Sequence, residues 1–422
     1  LSPPMESAAE RFRSLIESAE ARVMLGQLVI PERPELTRLA ADLGIHEQYR
    51  LSLLEAEIAV ASGNVARGIE AARGAMRLAQ TPWQRGHALF RLAWLEYRGG
   101  DPDTQLEPLL ESIRAFHDIG DGAMEAQALR NLSGYWFRVG EVARFDETYA
   151  QAWQLATDLQ EGLLLRRLKA DAALVNLVKG EYAPALETAR ALYAEARERG
   201  DWWAVWDSLQ LLLLGAAVFG LEPDLEATVR TAMVEAEGVE ARRDLALLRL
   251  DLGMALLTEN RLKEAEAELK TALEEFRRIG ERAMLGHTLF FLGFTRLEMA
   301  AYEGAEQLLE ESVTIWQARK EYRHQARSLA GLALALLRQG KTEAAQRASK
   351  TAYELRAEWA RGLYDLPLVL YARARALGEV QGRQALREVQ ALLREINEAL
   401  PAELGARLLA NRFVAWVLAK PV

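Results

Sequence analysis

The chain holds five histidines, His46, His87, His117, His287 and His324, and no cysteine. No two of these histidines share the spacing that sets two ligands on one helix face beside a general-base glutamate, so no metal site is predicted. Without thiols there is no cysteine nucleophile and no disulfide framework, which favours a cytoplasmic setting. One segment, Ala335-Leu336-Leu337-Arg338-Gln339-Gly340-Lys341-Thr342, fits the loose form of a phosphate-binding loop. That chemistry needs a strand ahead of the loop, so that backbone N–H groups and the lysine converge on a phosphate. Here a Leu- and Ala-rich helical pattern precedes it, and no nucleotide site is assigned. Carboxylate pairs such as Glu274-Glu275 and Glu310-Glu311 lie in segments dense with charge and read as solvated faces. No catalytic residue and no cofactor is predicted; the chain reads as a non-enzyme.

In place of catalysis the sequence offers recognition chemistry: large rings, amides and guanidinium groups. Seven of the ten tryptophans, Trp83, Trp94, Trp136, Trp153, Trp202, Trp203 and Trp206, fall between residues 83 and 206. Aromatic and arginine side chains give large contact area and bidentate hydrogen bonds at low entropic cost, which suits a binding surface. Whether such residues share a surface depends on the elements that carry them.

Those elements repeat. Gly100, Gly140, Gly180, Gly220 and Gly340 stand forty residues apart, with Asn260 and Ala300 in the slots between, and Gly and Asn accept the left-handed conformation that ends a helix. Seven residues before each comes a small residue, Ala93, Ser133, Ala173, Gly253, Gly293 or Ala333, interrupted only by Leu213. The preceding column, Leu92, Leu132, Ala172, Leu212, Leu252, Leu292 and Leu332, is apolar throughout and is expected in the core. A second amphipathic stretch follows each turn and closes near Gly120, Gly200, Gly238 and Gly280. Each period is therefore two helices, with Pro82, Pro184, Pro223 and Pro401 at or near helix starts. Leu supplies 71 of the 422 residues, a balance that also argues against sheet.

The small-residue positions in Leu292-Gly293, Tyr302 and Ala305, and in Leu252-Gly253 and Ala265, resemble the tetratricopeptide repeat over roughly residues 46 to 398. Phe145 and Leu225 replace the second-helix Ala. The forty-residue unit is similar to the sensor region of the maltose-regulator (MalT) family of bacterial signal-transducing ATPases. The resemblance implies a region that senses a ligand or holds a partner. It also implies an all-α, right-handed superhelical solenoid of about nine antiparallel helix pairs, whose concave surface is the usual binding face.

In that register, residues two and five positions either side of the buried column face inward. They are His87, Phe90, Trp94 and Tyr97; Gln127, Arg130 and Phe137, with Arg138 adjacent; Arg167; Asp207 and Gln210; and His287, Phe290 and Phe294. Arg327 and Arg338 extend the line. Residues 1–45 are expected to form an N-terminal capping helix, over residues 5 to 29, and a linker. Repeats run over 46–398, and 399–422 hold one closing helix over 402 to 418.

The formal charge is −9, with no basic tail, which excludes the phosphate-dominated affinity of a nucleic-acid binder. The longest apolar stretch, Leu211 to Leu221, is about half the ~20 residues that span a bilayer. Residue 1 is Leu with no signal-like leader, so the piece is expected to come from a longer polypeptide whose other domains hold the output. The function expected is a non-catalytic sensor or scaffold region of a larger bacterial regulator, transcriptional or signalling. Its partner is a protein or fused effector domain, or a small-molecule ligand in the groove. The rival expectation is a scaffold that binds an extended peptide or helix and no small molecule.

Overall fold

The computed structural model describes residues 7–24, 30–61, 65–99, 102–238 and 241–420; the expected turn at Gly100 and the side chains of Trp202 and Trp203 lie outside this part. Two helices, α1 (Ala8–Met24) and α2 (Arg33–Leu43), come first. The first repeats pair α3 (Ile45–Ala61) with α4 (Val65–Leu78), α5 (Pro82–Gly99) with α6 (Pro102–Asp118), and α7 (Gly122–Val139) with α8 (Val142–Asp158). The middle ones pair α9 (Gly162–Lys179) with α10 (Tyr182–Arg199) and α13 (Arg242–Thr258) with α14 (Leu262–Ile279); between them α11 (Trp202–Phe219) packs on α10 and α13, and α12 (Pro223–Gly238) packs on α13 rather than on α11. The last pair α15 (Arg282–Glu298) with α16 (Tyr302–Ala318), α17 (Tyr322–Arg338) with α18 (Thr342–Glu354), and α19 (Leu366–Gln381) with α20 (Arg383–Glu398). Two short helices, α21 (Ala402–Ala410) and α22 (Arg412–Leu418), close the chain, and no strand occurs among the described residues. The protein is an all-α solenoid of helix pairs.

Two terminal expectations need correcting. Residues Arg33–Leu43 form a helix instead of a linker, with Pro34 in the first turn, where a missing N–H costs nothing. The closing helix is two helices, because the Asn411 side chain accepts from Phe413 N at 3.0 Å and starts a new one.

Helix ends recur every twenty residues. Asn260 and Ala300 take φ values of 59° and 60°, as the glycines of the series do, and so do Gln160 (57°) and Lys320 (54°), which a glycine search overlooks. The small column does what close packing requires: a β-carbon on Gly253 or Gly293 would lie 2.6 or 2.8 Å from the Cγ of Leu269 or Leu309 in the paired helix. At Leu213 the pattern breaks: α11 packs closely on the preceding helix α10, where Gly215 faces Leu186. The apolar column is buried at Leu92, Leu132, Leu252, Leu292 and Leu332, and half-buried at Ala172 and Leu212.

First helices of neighbouring pairs approach one another (α3 with α5, α7 with α9, α11 with α13, α13 with α15, α15 with α17) and line the inner side. The coil then meets itself, ten helices on. The end of α5 reaches the starts of α15 and α17: Arg98 pairs with Glu281 at 3.3 Å, and Arg319 Nη1 donates to the Tyr97 carbonyl at 3.1 Å. The end of α7 meets α17 and the segment before α19, with Phe137 5.1 Å from Trp359 and under the Arg323 guanidinium. Gly362 N donates to Val178 O at the end of α9 (2.8 Å). Arg407 of α21 donates to Phe219 O and Gly220 O at the end of α11 (2.8 Å each), and Asn411 Nδ2 donates to Val218 O (2.9 Å). One superhelical turn thus takes five repeats. The second turn caps carbonyls that every helix end leaves without partners.

Candidate functional site

Tight coiling divides the expected inner-face residues into two groups. Those on α5, α15 and the end of α7 are taken up by the protein itself. His87 is half-buried, stacked on Trp83 at 5.0 Å with Nδ1 3.1 Å from the Tyr49 hydroxyl, and burial with Arg91 nearby lowers its pKa to about 4. Phe90 lies in a core cluster with Leu109 and Phe116. Trp94 has the Arg98 guanidinium 4.7 Å from its ring, and Tyr97 is flanked by Arg138 at 4.0 Å and Arg319 at 5.4 Å. Arg138 also donates to Gln105 Oε1 at 2.9 Å. Phe294 meets Tyr364, from the segment after α18, at 5.9 Å. Phe290 is fully buried under Arg327.

His287 belongs to a buried cluster with Trp316 and His324, its Nδ1 2.7 Å from Arg327 Nη2. Burial, reinforced by the surrounding arginines, holds both histidines well below their ordinary pKa, and burial lowers Arg327 to about 10. Neutral imidazole is then available as a hydrogen-bond acceptor for the guanidinium. These groups support the fold; no group of three or more potential metal ligands occurs among the described residues.

The second group stays open. Arg130 on α7 forms a bidentate pair with Asp171 on α9, at 2.5 and 2.8 Å. Burial opposes the Arg130 charge, but Asp171 and Asp207 outweigh it and hold its pKa above the ordinary value. Arg167 and Asp207 are exposed and form no ion pair among the described residues. Burial nevertheless is the main influence on both, lowering Arg167 and raising Asp207 against the pull of Arg243, Arg167 and Arg130. Water contact and a desolvating environment coexist where protein surrounds a side chain on several sides while its tip stays wet. Gln127 is half-buried on α7, and Gln210 on α11 leaves its Nε2 buried with no acceptor among the described residues.

The strip continues through residues the sequence reading did not select. Arg243, at the start of α13, bonds Glu281 at 2.9 Å, and burial pushes the neighbouring Asp244 up to about 6 despite Arg243 beside it. Arg243 lies nine residues before the column residue Leu252, outside the offsets of two and five that mark the inner face, so that register gave no signal for it. Trp359 and Tyr364, in the segment between α18 and α19, had none, since nothing local shows that this segment turns into the coil. The expected phosphate-binding mimic is a helix–turn–helix, and Lys341 is paired with Glu306 at 2.7 Å.

No family model matches the chain, and no curated protein matches it. Among solved structures it is similar to a Rap protein in complex with competence and sporulation factor, with 13% identity, 88% of this chain and 96% of that one covered, and a TM-score of 0.41. It is also similar to a signal transduction ATPase with numerous domains, carrying a tetratricopeptide repeat sensor, from Pyrococcus horikoshii. There the identity is 12%, the TM-score 0.45, and the match covers 85% of this chain and 56% of that one.

Proposed function

We propose that the chain is a non-catalytic binding region that takes an extended polypeptide along the inner face of its first superhelical turn. The observation that carries this reading is the open pair Arg167 and Asp207, set among Arg130, Asp171, Arg243 and Asp244. Three cations and three carboxylates are spread over four successive first helices, α7, α9, α11 and α13. At about 10 Å per packed helix that strip is on the order of 30 Å long, which suits a chain carrying both charge signs better than a compact metabolite. The remaining inner aromatics are already engaged by the protein, so specificity falls to charge pattern and to the unmatched Gln210 amide.

Such a region serves as the sensor of a larger regulator, with its effector on the same polypeptide or on a bound protein. Occupancy acts by favouring one curvature of the coil over another. A library of short peptides of mixed charge, followed by tryptophan fluorescence, tests the reading. Peptides that bind the parent are expected to lose about tenfold or more in affinity with Arg167→Ala and with Asp207→Ala. Urea midpoints at pH 7 should not fall by more than about 1 kcal/mol equivalent, because neither side chain holds an ion pair among the described residues and burial disfavours the charge on both. Absence of any binder, or binders indifferent to both substitutions, refutes it.

A further inference from the structure

The repeat lets the two turns be compared slot by slot. Ile119 and Leu159, just before α7 and α9, are 40% and 46% exposed. Their equivalents at multiples of forty, Ile279 and Arg319, are 5% and 2% exposed, because the end of α5 lies over that edge. Trp83 and Leu163 are 43% and 50% exposed, whereas Ala283 in the same slot is 4% exposed. The edge that the second turn buries under the first is thus displayed, more apolar, on the first turn with nothing over it among the described residues. Glu161 on that edge stands three repeats before Glu281, the carboxylate that receives Arg98, and has no ion pair among the described residues.

The opposite edge of the molecule carries the matching half. Arg412 of α22 reaches Asn260 and Glu298 at the ends of α13 and α15. Beyond its reach lies the end of α17, where Arg338 is exposed and unpaired among the described residues. Arg338 stands six repeats after Arg98, in the same slot.

We propose that the chain associates head to tail with a second copy of itself, the end of α17 in one copy seated on the start of α9 in the other. The contact continues the internal seam: Leu159 and Leu163 are covered as Ile279 and Ala283 are, and Arg338 meets Glu161 as Arg98 meets Glu281. A head-to-tail contact leaves a free edge at each end, so association proceeds past the dimer unless a ring closes.

Because the parent has no cysteine, the geometry can be read without background. Glu161→Cys and Arg338→Cys variants are mixed and treated with a short bis-maleimide. A cross-linked dimer is expected from the mixture and from neither variant alone. Sedimentation of the parent to about 200 µM should show mass rising with concentration, a range that includes weak interfaces. Leu159→Glu with Leu163→Glu should abolish the rise while leaving the circular dichroism melt of this exposed edge unchanged. Arg338→Glu should weaken association by about tenfold, and adding Glu161→Arg should restore it. A parent that stays monomeric, a link formed by either cysteine variant alone, or association indifferent to the two glutamates overturns the proposal.

Discussion

Asp244 shows how a single side chain inside the coil differs from one outside it. Its carboxyl is 15% exposed beside Arg243 at 3.8 Å, and burial still raises its pKa to about 6. A carboxyl whose folded pKa is raised stabilises the fold only below its unfolded value; that contribution fades as pH rises through 4 to 6. Above pH 6 the ionised Asp244 therefore works against folding, by up to about 3 kcal/mol at 1.36 kcal/mol per pKa unit. Asp244→Asn is expected to raise urea stability at pH 7 and to lose that gain near pH 4. An equal gain at both pH values would show that ionisation is not the cause. Carboxylates on outer helices behave oppositely: the hydrogen bond from Arg261 is the main influence on Glu226 and lowers its pKa.

Helix ends carry the element-scale logic. The left-handed residue recurs whether or not the slot holds glycine, so the twenty-residue spacing is imposed by packing and tolerated by the side chains that occupy it. Ala300, at φ 60°, has a β-carbon in a conformation that costs about 1–2 kcal/mol. Ala300→Gly should recover up to about 1 kcal/mol of that, the remainder being offset by the greater entropy of unfolded glycine. Gly180, at φ 81°, combines the same backbone requirement with the seam, since a β-carbon there would lie 3.3 Å from the Arg361 carbonyl oxygen. Gly180→Val is expected to destabilise by more than about 1 kcal/mol. Urea titration of the two variants should move in opposite directions, and movement in one direction would contradict the assignment of these ends. At α11 the element-scale pattern changes: the helix is apolar nearly all round, because α10, α13 and the closing helices cover it from several sides.

At the scale of the molecule, the seam sets this coil apart from an open solenoid, in which each repeat touches only its neighbours. Arg319 and Glu321 are both 2% exposed and paired at 2.8 Å, and Arg319 also holds the Tyr97 carbonyl across the seam. Arg319→Ala strands a buried carboxylate and should cost about 3–5 kcal/mol. It should also broaden the urea transition and enlarge the radius of gyration in solution scattering, as the two turns separate. Arg277→Ala, which removes a half-exposed pair with Glu311, should cost no more than about 1 kcal/mol and leave the shape alone. Loss of stability in Arg319→Ala with unchanged cooperativity and size would mean that the seam does not couple the turns.

The sequence by itself determined what is local. Gly253 and Gly293, the column from Leu92 to Leu332 and the breaks at Gly140 and Gly180 announce helix pairs because helix ends and close helix contacts depend on residues within a few turns of each other. Arg130, Arg167, Asp207 and Gln210 were picked out by the same local register. What only the tertiary structure decided is which inner residues remain open. That depends on superhelical pitch, the accumulated sum of small rotations between repeats. Here the sum brings Tyr97 under Arg319 and Phe137 against Trp359, partners 222 residues apart in both cases. No pattern within one forty-residue unit encodes where the fifth unit after it will lie.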